Sequence, residues 1–325
     1  MKTLILSLIL VAPSALQADS QPAPNIDQQR ITVSGISAGG QMAHQLHIAY
    51  PELFSGIGVI AGGPFGCANG SLTTAMARCI GKVDDSLSVT DLAAEIRAAA
   101  GEGRVGNVDV LADDPVWLFH GALDKTVAVE VSDALEELYR DFVPVGQITY
   151  VNDVQAAHNF PASGTGHACD AIQAPFVGDC DYDAAGELLN HLYPGLKNPD
   201  SHSEAALTPV VFPGAAEAGL SETAYLFVPP ACTGNEKACA AHIVLHGCAQ
   251  STTQVGTEFI EQSGYLRWAA ANDIVLAFPQ VVSGPTNPLA CWDWWGYTGA
   301  NYRWRDGAQM KLLVDWIQSL AAQEK

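Results

Sequence analysis

One short stretch restricts the possible folds of this chain more than any other: Val33-Ser34-Gly35-Ile36-Ser37-Ala38-Gly39-Gly40. A β-branched run, Ile31-Thr32-Val33, leads into it, and Gln41 to Tyr50 follows with the apolar-polar spacing of a helix. A strand that turns straight into a helix leaves little space beside the turn, because the helix packs close over the strand it has just left. Gly35 and Gly39, two positions either side of Ser37, supply that space. The stretch therefore predicts a strand–turn–helix unit with Ser37 held exposed at its apex. That is where a nucleophilic serine belongs in an α/β sheet.

The following segments extend the pattern. Gly56 to Ala61 reads as a buried parallel strand, stopped by Gly62-Gly63-Pro64 at the end where active-site loops gather in such sheets. Pro115 to Phe119 is the next strand; it breaks into His120-Gly121-Ala122-Leu123-Asp124 before a helix over Val131 to Phe142. Asp124 suits a carboxylate that orients a catalytic base, although a turn or capping residue would sit there too. Ile148 to Val151 is a further strand, followed within a short loop by His158-Asn159-Phe160-Pro161. Ser37, Asp124 and His158 thus occur on successive strand ends in the order nucleophile, acid, base, the order that α/β-hydrolases use. Nine histidines compete for the base role. His167 is the serious rival, but it lies beyond the short loop, beside Cys169. His44 and His47 fall on the helix after Ser37, while His120 and His246 precede glycines and read as loop-shaping residues.

Residues 1–18 stand apart from the fold. Lys2, the apolar run Thr3 to Val11 and the small residues up to Ala18 have the form of a secretory signal peptide, too short to span a bilayer. The remaining residues, 19–325, suffice for one large α/β domain. A formal net charge of −20 argues against nucleic acid and anionic membrane surfaces as partners, and a neutral substrate is expected. The eight cysteines fall into four local groups: Cys67 and Cys79, Cys169 and Cys180, Cys232 and Cys239, Cys248 and Cys291. An even count in an exported chain reads as disulfides, and neighbour pairing would pin three short loops. Eight cysteines still allow about a hundred connectivities, so the pairing stays open. Without a C-x-x-C the scattered thiols give no metal signal, and no cofactor is expected.

The second half is unusual. Strands are expected at Ala224 to Pro230, His242 to Leu245 and Ile274 to Pro279, with helices at Phe259 to Ala271 and Gly307 to Ala322. The strand at His242 runs into His246-Gly247-Cys248, a strand end that supplies an oxyanion-hole amide in ordinary α/β-hydrolases. There it precedes the nucleophile; here it comes more than two hundred residues after Ser37. The second half has no nucleophile and the first half no oxyanion strand. A circularly permuted α/β-hydrolase, a single domain with a mostly parallel central sheet, explains both absences, the closing helix feeding spatially into the Ile31 strand.

At this point the chain resembles the permuted (type 2) catalytic domain of extracellular poly(3-hydroxybutyrate) depolymerases, within a wider esterase family that includes feruloyl and acetylxylan esterases. The matching stretches are Val33 to Ala43, Ala61-Gly62-Gly63-Pro64, His120-Gly121 through Asp124, and His158-Asn159-Phe160-Pro161. His246-Gly247-Cys248 and Cys291-Trp292-Asp293-Trp294-Trp295-Gly296-Tyr297 complete the set. The resemblance implies Ser37 as nucleophile, His158 as base, Asp124 as its orienting acid, and the backbone N–H groups of Ala38 and Cys248 as the oxyanion hole. It implies that Trp292, with Asn287 nearby, lines the ester-binding crevice. The substrate it implies is a polyester or ester oligomer, with a plant-polysaccharide ester as the alternative. Many relatives carry a linker and a polymer-binding domain, for which this chain has no length to spare. No stable membrane association is expected, and nothing signals an oligomeric state.

Overall fold

Short apolar runs build the centre of the molecule, since a strand buried on both faces needs an apolar residue at every position. In the computed structural model, which describes residues 24–81, 86–199, 206–234 and 237–322, the first strands are β1 (Ile26–Ile36), β2 (Ile57–Ile60), β3 (Val116–Phe119) and β4 (Ile148–Val151). Next come three very short strands, β5 (Phe160–Ala162), β6 (His167–Ala168) and β7 (Val177–Asp179). The second half adds β8 (Thr208–Val211), β9 (Thr223–Phe227), β10 (Cys239–Leu245) and β11 (Ile274–Phe278). The expected signal peptide lies outside the described residues.

Eight strands form one sheet in the order β4-β3-β2-β1-β10-β11-β9-β8. The first six are parallel; β9 runs antiparallel to β11, and β8 to β9. Side chains of β3 alternate between two cores. Val116 and Leu118 join one with Leu135, Leu138 and Val314, while Trp117 and Phe119 join the other with Leu188, Leu189 and Trp268. Helices thus cover both faces, as a buried parallel sheet requires.

The seam between the two halves of the chain runs down the middle of this sheet. β1 pairs with β10 from Ile31 opposite Ala241 to Gly35 opposite Leu245. The closing helix, Ala308–Ala321, returns to the start of β1, where Gln28 Nε2 donates to the Ala321 carbonyl at 3.4 Å. A closing helix beside the start of β1 and an interleaved strand order are what a circular permutation produces. A buried polar cluster secures the register. His242 on β10 bonds Thr32 Oγ1 through Nδ1 and Ser34 Oγ through Nε2, each at 2.7 Å, and Tyr265 OH also meets Ser34 Oγ at 2.7 Å. Burial lowers the His242 pKa to about 3, so the bridge is a neutral ring.

Several regions differ from the sequence expectation: β8 was not expected, and β1 begins five residues before Ile31. The helix expected over Phe259 to Ala271 is two pieces, Glu258–Gln262 and Tyr265–Asn272, separated at Gly264 with φ 89°. The segment after His158 folds into a small second sheet in the order β5-β7-β6, whose strands are too short to show periodicity. The four disulfides join neighbours: Cys67–Cys79, Cys169–Cys180, Cys232–Cys239 and Cys248–Cys291.

Candidate active site

Ser37 ends β1 with φ 56° and ψ −120°, a conformation that costs a residue with a Cβ about 1–3 kcal/mol. Neighbours hold it there. Its N–H donates to the Ile60 carbonyl on β2 at 2.8 Å, and its own carbonyl accepts from Gln41 N at 2.9 Å. The helix Ala38–Ala49 starts at the next residue, three positions earlier than its apolar spacing indicates. The two glycines are sterically required: a Cβ on Gly35 would lie 2.3 Å from the Gly39 carbonyl carbon, and one on Gly39 would lie 2.2 Å from the Leu245 carbonyl oxygen. Close packing of the turn on both β1 and β10 therefore depends on them.

Asp124 and His158 meet beyond the ends of β3 and β4. Their loops are stitched together by Ala122 N to the Val154 carbonyl at 2.8 Å and Leu123 N to the Ala156 carbonyl at 3.0 Å. His158 Nδ1 donates to Asp124 Oδ2 at 2.7 Å, and Asp124 Oδ1 accepts from the backbone N–H groups of Thr126 at 2.8 Å and Val127 at 3.0 Å. Burial alone would raise the Asp124 pKa. The hydrogen bond and charge of His158 and the two amides outweigh it, so the carboxyl lies below its ordinary value and is ionised at neutral pH. With Nδ1 committed to Asp124, Nε2 is the ring nitrogen left for chemistry. His167, the rival, is half-buried, and its Nε2 bonds the Ala174 carbonyl at 2.9 Å.

Ser37 and His158 line one cavity of about 460 Å³, together with Ala38, Gly247, Cys248 and Gln250. Neither Ala38 N–H nor Cys248 N–H has a protein acceptor among the described residues. The remainder of the wall is largely apolar: Leu72, Met76, Ile80, Ile172, Phe176, Leu289, Trp294 and Trp295. No group of three or more His, Cys, Asp or Glu able to hold a metal occurs among the described residues.

The aromatic loop requires a correction. Asn287 does line the cavity, with its amide also holding Cys291 N at 2.9 Å through Oδ1. Trp292 does not. It is wholly buried behind the end of β10, its Nε1 donating to the His246 carbonyl at 3.0 Å. The loop turns tightly around Asp293, whose carboxylate accepts from the N–H groups of Gly296, Tyr297 and Thr298. That turn sends Trp292 inward and brings Trp294 and Trp295 to the cavity instead. The indole N–H of Trp294 is buried and has no partner among the described residues. Ile172 and Phe176, from the small second sheet's connections, carry no sequence signal that would have marked them as wall residues.

The family described as Esterase PHB depolymerase matches residues 15–148. A poly(3-hydroxybutyrate) depolymerase of Delftia acidovorans is 39% identical over 306 residues, 92% of this chain and 61% of that protein's length. A polyhydroxybutyrate depolymerase of Talaromyces funiculosus is 30% identical over 97% of this chain and 96% of its own length. The chain belongs to this family. It spans about 61% of the Delftia relative but nearly all of the fungal one. In three dimensions it matches the PHB depolymerase crystal structure from Penicillium funiculosum with a TM-score of 0.85 at 30% identity, covering 93% of this chain and 98% of that one. A PHB depolymerase complexed with an R3HB trimer matches equally well.

Proposed function

We propose that this protein is an exported serine esterase that hydrolyses the ester bonds of poly(3-hydroxybutyrate) and its oligomers. The observation that carries the reading is the ionised Asp124 bonded to His158 on the same apolar-walled cavity as a strained, glycine-flanked Ser37. Family membership supplies the polymer. In this reading His158 takes the Ser37 proton as Oγ attacks an ester carbonyl, since a neutral serine is a weak nucleophile. Asp124 holds the imidazole in the correct tautomer and stabilises its cationic form. The N–H groups of Ala38 and Cys248 meet the developing oxyanion, the alcohol leaves with the His158 proton, and water releases the acyl-enzyme. A neutral, weakly polar polyester suits the wall, and the strongly acidic chain has no reason to attract a polyanion. Four disulfides, with no free cysteine among the described residues, fit an oxidising compartment outside the cytosol.

The test is Ser37→Ala assayed on a poly(3-hydroxybutyrate) suspension and on defined oligomers. Clearing and oligomer cleavage should fall by roughly 10⁶-fold with the circular dichroism spectrum unchanged. Retained turnover removes Ser37 from its role, and wild-type release of ferulate or acetate in preference to 3-hydroxybutyrate units replaces the substrate.

A further inference from the structure

Two buried side chains, His246 and Gln250, both bond the single residue Gly247. His246 is 1% exposed and Gln250 3%. His246 Nδ1 lies 2.7 Å from the Gly247 carbonyl oxygen, while its Nε2 accepts from the Val281 backbone N–H at 3.2 Å. Because Nε2 is the acceptor, the ring hydrogen sits on Nδ1 and donates to Gly247. From the other side, Gln250 Oε1 accepts the Gly247 N–H at 2.6 Å. The Gln250 amide is itself anchored, with Nε2 donating to the carbonyls of Pro175 at 2.9 Å and Phe176 at 3.2 Å.

The geometry points to His246 and Gln250 as a clasp that aims the Cys248 N–H at the reacting carbonyl, making them positioning residues for ester hydrolysis. The Gly247 carbonyl and the Cys248 N–H belong to one planar trans peptide and point in opposite directions. Fixing the carbonyl through His246 therefore fixes the N–H, and turns it away from the His246 ring. Gln250 occupies the neighbouring donor, Gly247 N–H, while Cys248 N–H has no protein acceptor among the described residues. The hydrogen bond accepted by the carbonyl also polarises the peptide and strengthens its N–H as a donor. The anchors lie outside the loop: His246 reads the backbone after β11, and Gln250 reads the segment that brings Phe176 to the cavity. The aim of the amide is thereby tied to two separate parts of the fold.

This inference rests on Cys248 N–H serving the oxyanion, and the experiment separates the two claims. His246→Leu, His246→Asn and Gln250→Leu are compared with wild type on a soluble butyrate ester and on its thionoester, in which sulfur replaces the carbonyl oxygen. Active sites are counted with a phosphonate inhibitor, so misfolded protein does not enter the rates. Loss of an oxyanion donor outright costs roughly 10²–10³-fold in kcat. A misaimed donor should cost His246→Leu and Gln250→Leu roughly 10–100-fold in kcat with KM within about twofold, and should shrink the wild-type preference for ester over thionoester. His246→Asn, whose amide can replace the Nδ1 donor, should recover most of the loss. If His246→Leu does not fold, His246→Asn and Gln250→Leu decide the matter. A wild-type enzyme indifferent to the sulfur substitution overturns the oxyanion reading and the clasp with it. A discriminating wild type whose variants keep its kcat and its preference overturns the clasp alone.

Discussion

The two sides of the cavity are built differently. On one side the working atoms of the proposed mechanism belong to side chains: Ser37, and His158 with Asp124, the latter two joined by a 2.7 Å bond and backed by two amides. On the other side the working atom of the proposed mechanism is a backbone hydrogen, Cys248 N–H, rather than a side chain. Strand register places it, with Gly35 opposite Leu245, and so do the Cys248–Cys291 disulfide and the bond from Ala249 N to the Leu289 carbonyl at 2.7 Å. In that mechanism, substitution on the first side removes a reacting group or its direct partner. Substitution on the second only moves a donor. The first side should therefore fail abruptly and the second by degrees.

The sharpest way to break the comparison is Asp124→Asn. The amide keeps the shape but presents an N–H where His158 Nδ1 needs an acceptor, which favours the wrong tautomer. By analogy with the serine-protease triad the expected loss in kcat is about 10⁴-fold, with little change in fold or KM. Steady-state kinetics on a soluble ester measures it. A loss smaller than that of the oxyanion-side variants would mean that the triad side is not the abrupt one.

On the amide side, Cys248→Ala with Cys291→Ala tests graded failure. The backbone N–H survives this double change, so activity should persist at a reduced level. Stability should fall by on the order of 4 kcal/mol, since the bridge spans 43 residues, against on the order of 3 kcal/mol for the Cys169–Cys180 bridge of 11. Denaturant melts of the two double variants, with kcat measured below the transition, give both quantities. Complete loss of activity in a folded Cys248→Ala/Cys291→Ala protein would place the disulfide on the abrupt side of the comparison.

The legibility of the chain follows the same division. Ser37, Asp124 and His158 could be proposed from the sequence because such chemistry resides in residue types at strand ends, and most of the strands show as short apolar runs; the structure brings Asp124 and His158 together and puts Ser37 and His158 on one cavity. The permutation was legible because His246-Gly247-Cys248 stands on the wrong side of Ser37. Trp292 was misplaced because a composition of tryptophans does not tell which way a loop turns, and here the buried Asp293 carboxylate decides that. Ile172, Phe176 and Gln250 could not be chosen in advance. Phe176 and Gln250 are joined by a hydrogen bond between segments distant in sequence, Gln250 Nε2 to the Phe176 carbonyl, and Ile172 reaches the cavity only through the folding of its loop. The β1–β10 seam is the intermediate case: its pairing was implied by the permutation, but the buried His242 bridge across it was not.

Acid reaches both sides through buried histidines that have no part in the proposed mechanism. Burial first, against a weaker opposing backbone hydrogen bond, lowers His44 on the serine's helix to about 3 and His246 on the amide side to about 4. Burial lowers His242 on the seam to about 3. Between their ordinary value near 6.5 and these folded values, the unfolded chain binds protons that the folded chain refuses. Stability therefore falls as the pH drops below 6.5 and is unaffected by these groups above it. Each contributes up to about 1.4 kcal/mol per pH unit. The depressed Asp124 pKa acts in the same direction at lower pH, its contribution being lost as the pH falls through the folded value. Urea midpoints between pH 4.5 and 7.5 should slope steeply on the acid side, and a flat profile would show that these rings are protonated without cost.

The smallest effect separates binding from both sides of the chemistry. Leu72, Met76 and Ile172 line the cavity yet remain 53%, 52% and 51% exposed, so they form a rim that a polymer chain can cover. Covering a half-exposed side chain of this size is worth about 1 kcal/mol, or roughly fivefold, less than any effect above. Leu72→Ser should therefore lower the ratio of polymer to soluble-ester turnover by roughly that factor, and Leu72→Ser with Ile172→Ser by roughly its square, since they lie on separate segments. The measurement is the rate on a poly(3-hydroxybutyrate) film divided by kcat/KM on a butyrate ester. An unchanged ratio would mean that the polymer is held entirely within the cavity. An equal loss on both substrates would mean that the rim belongs with the graded side and helps to place the amide.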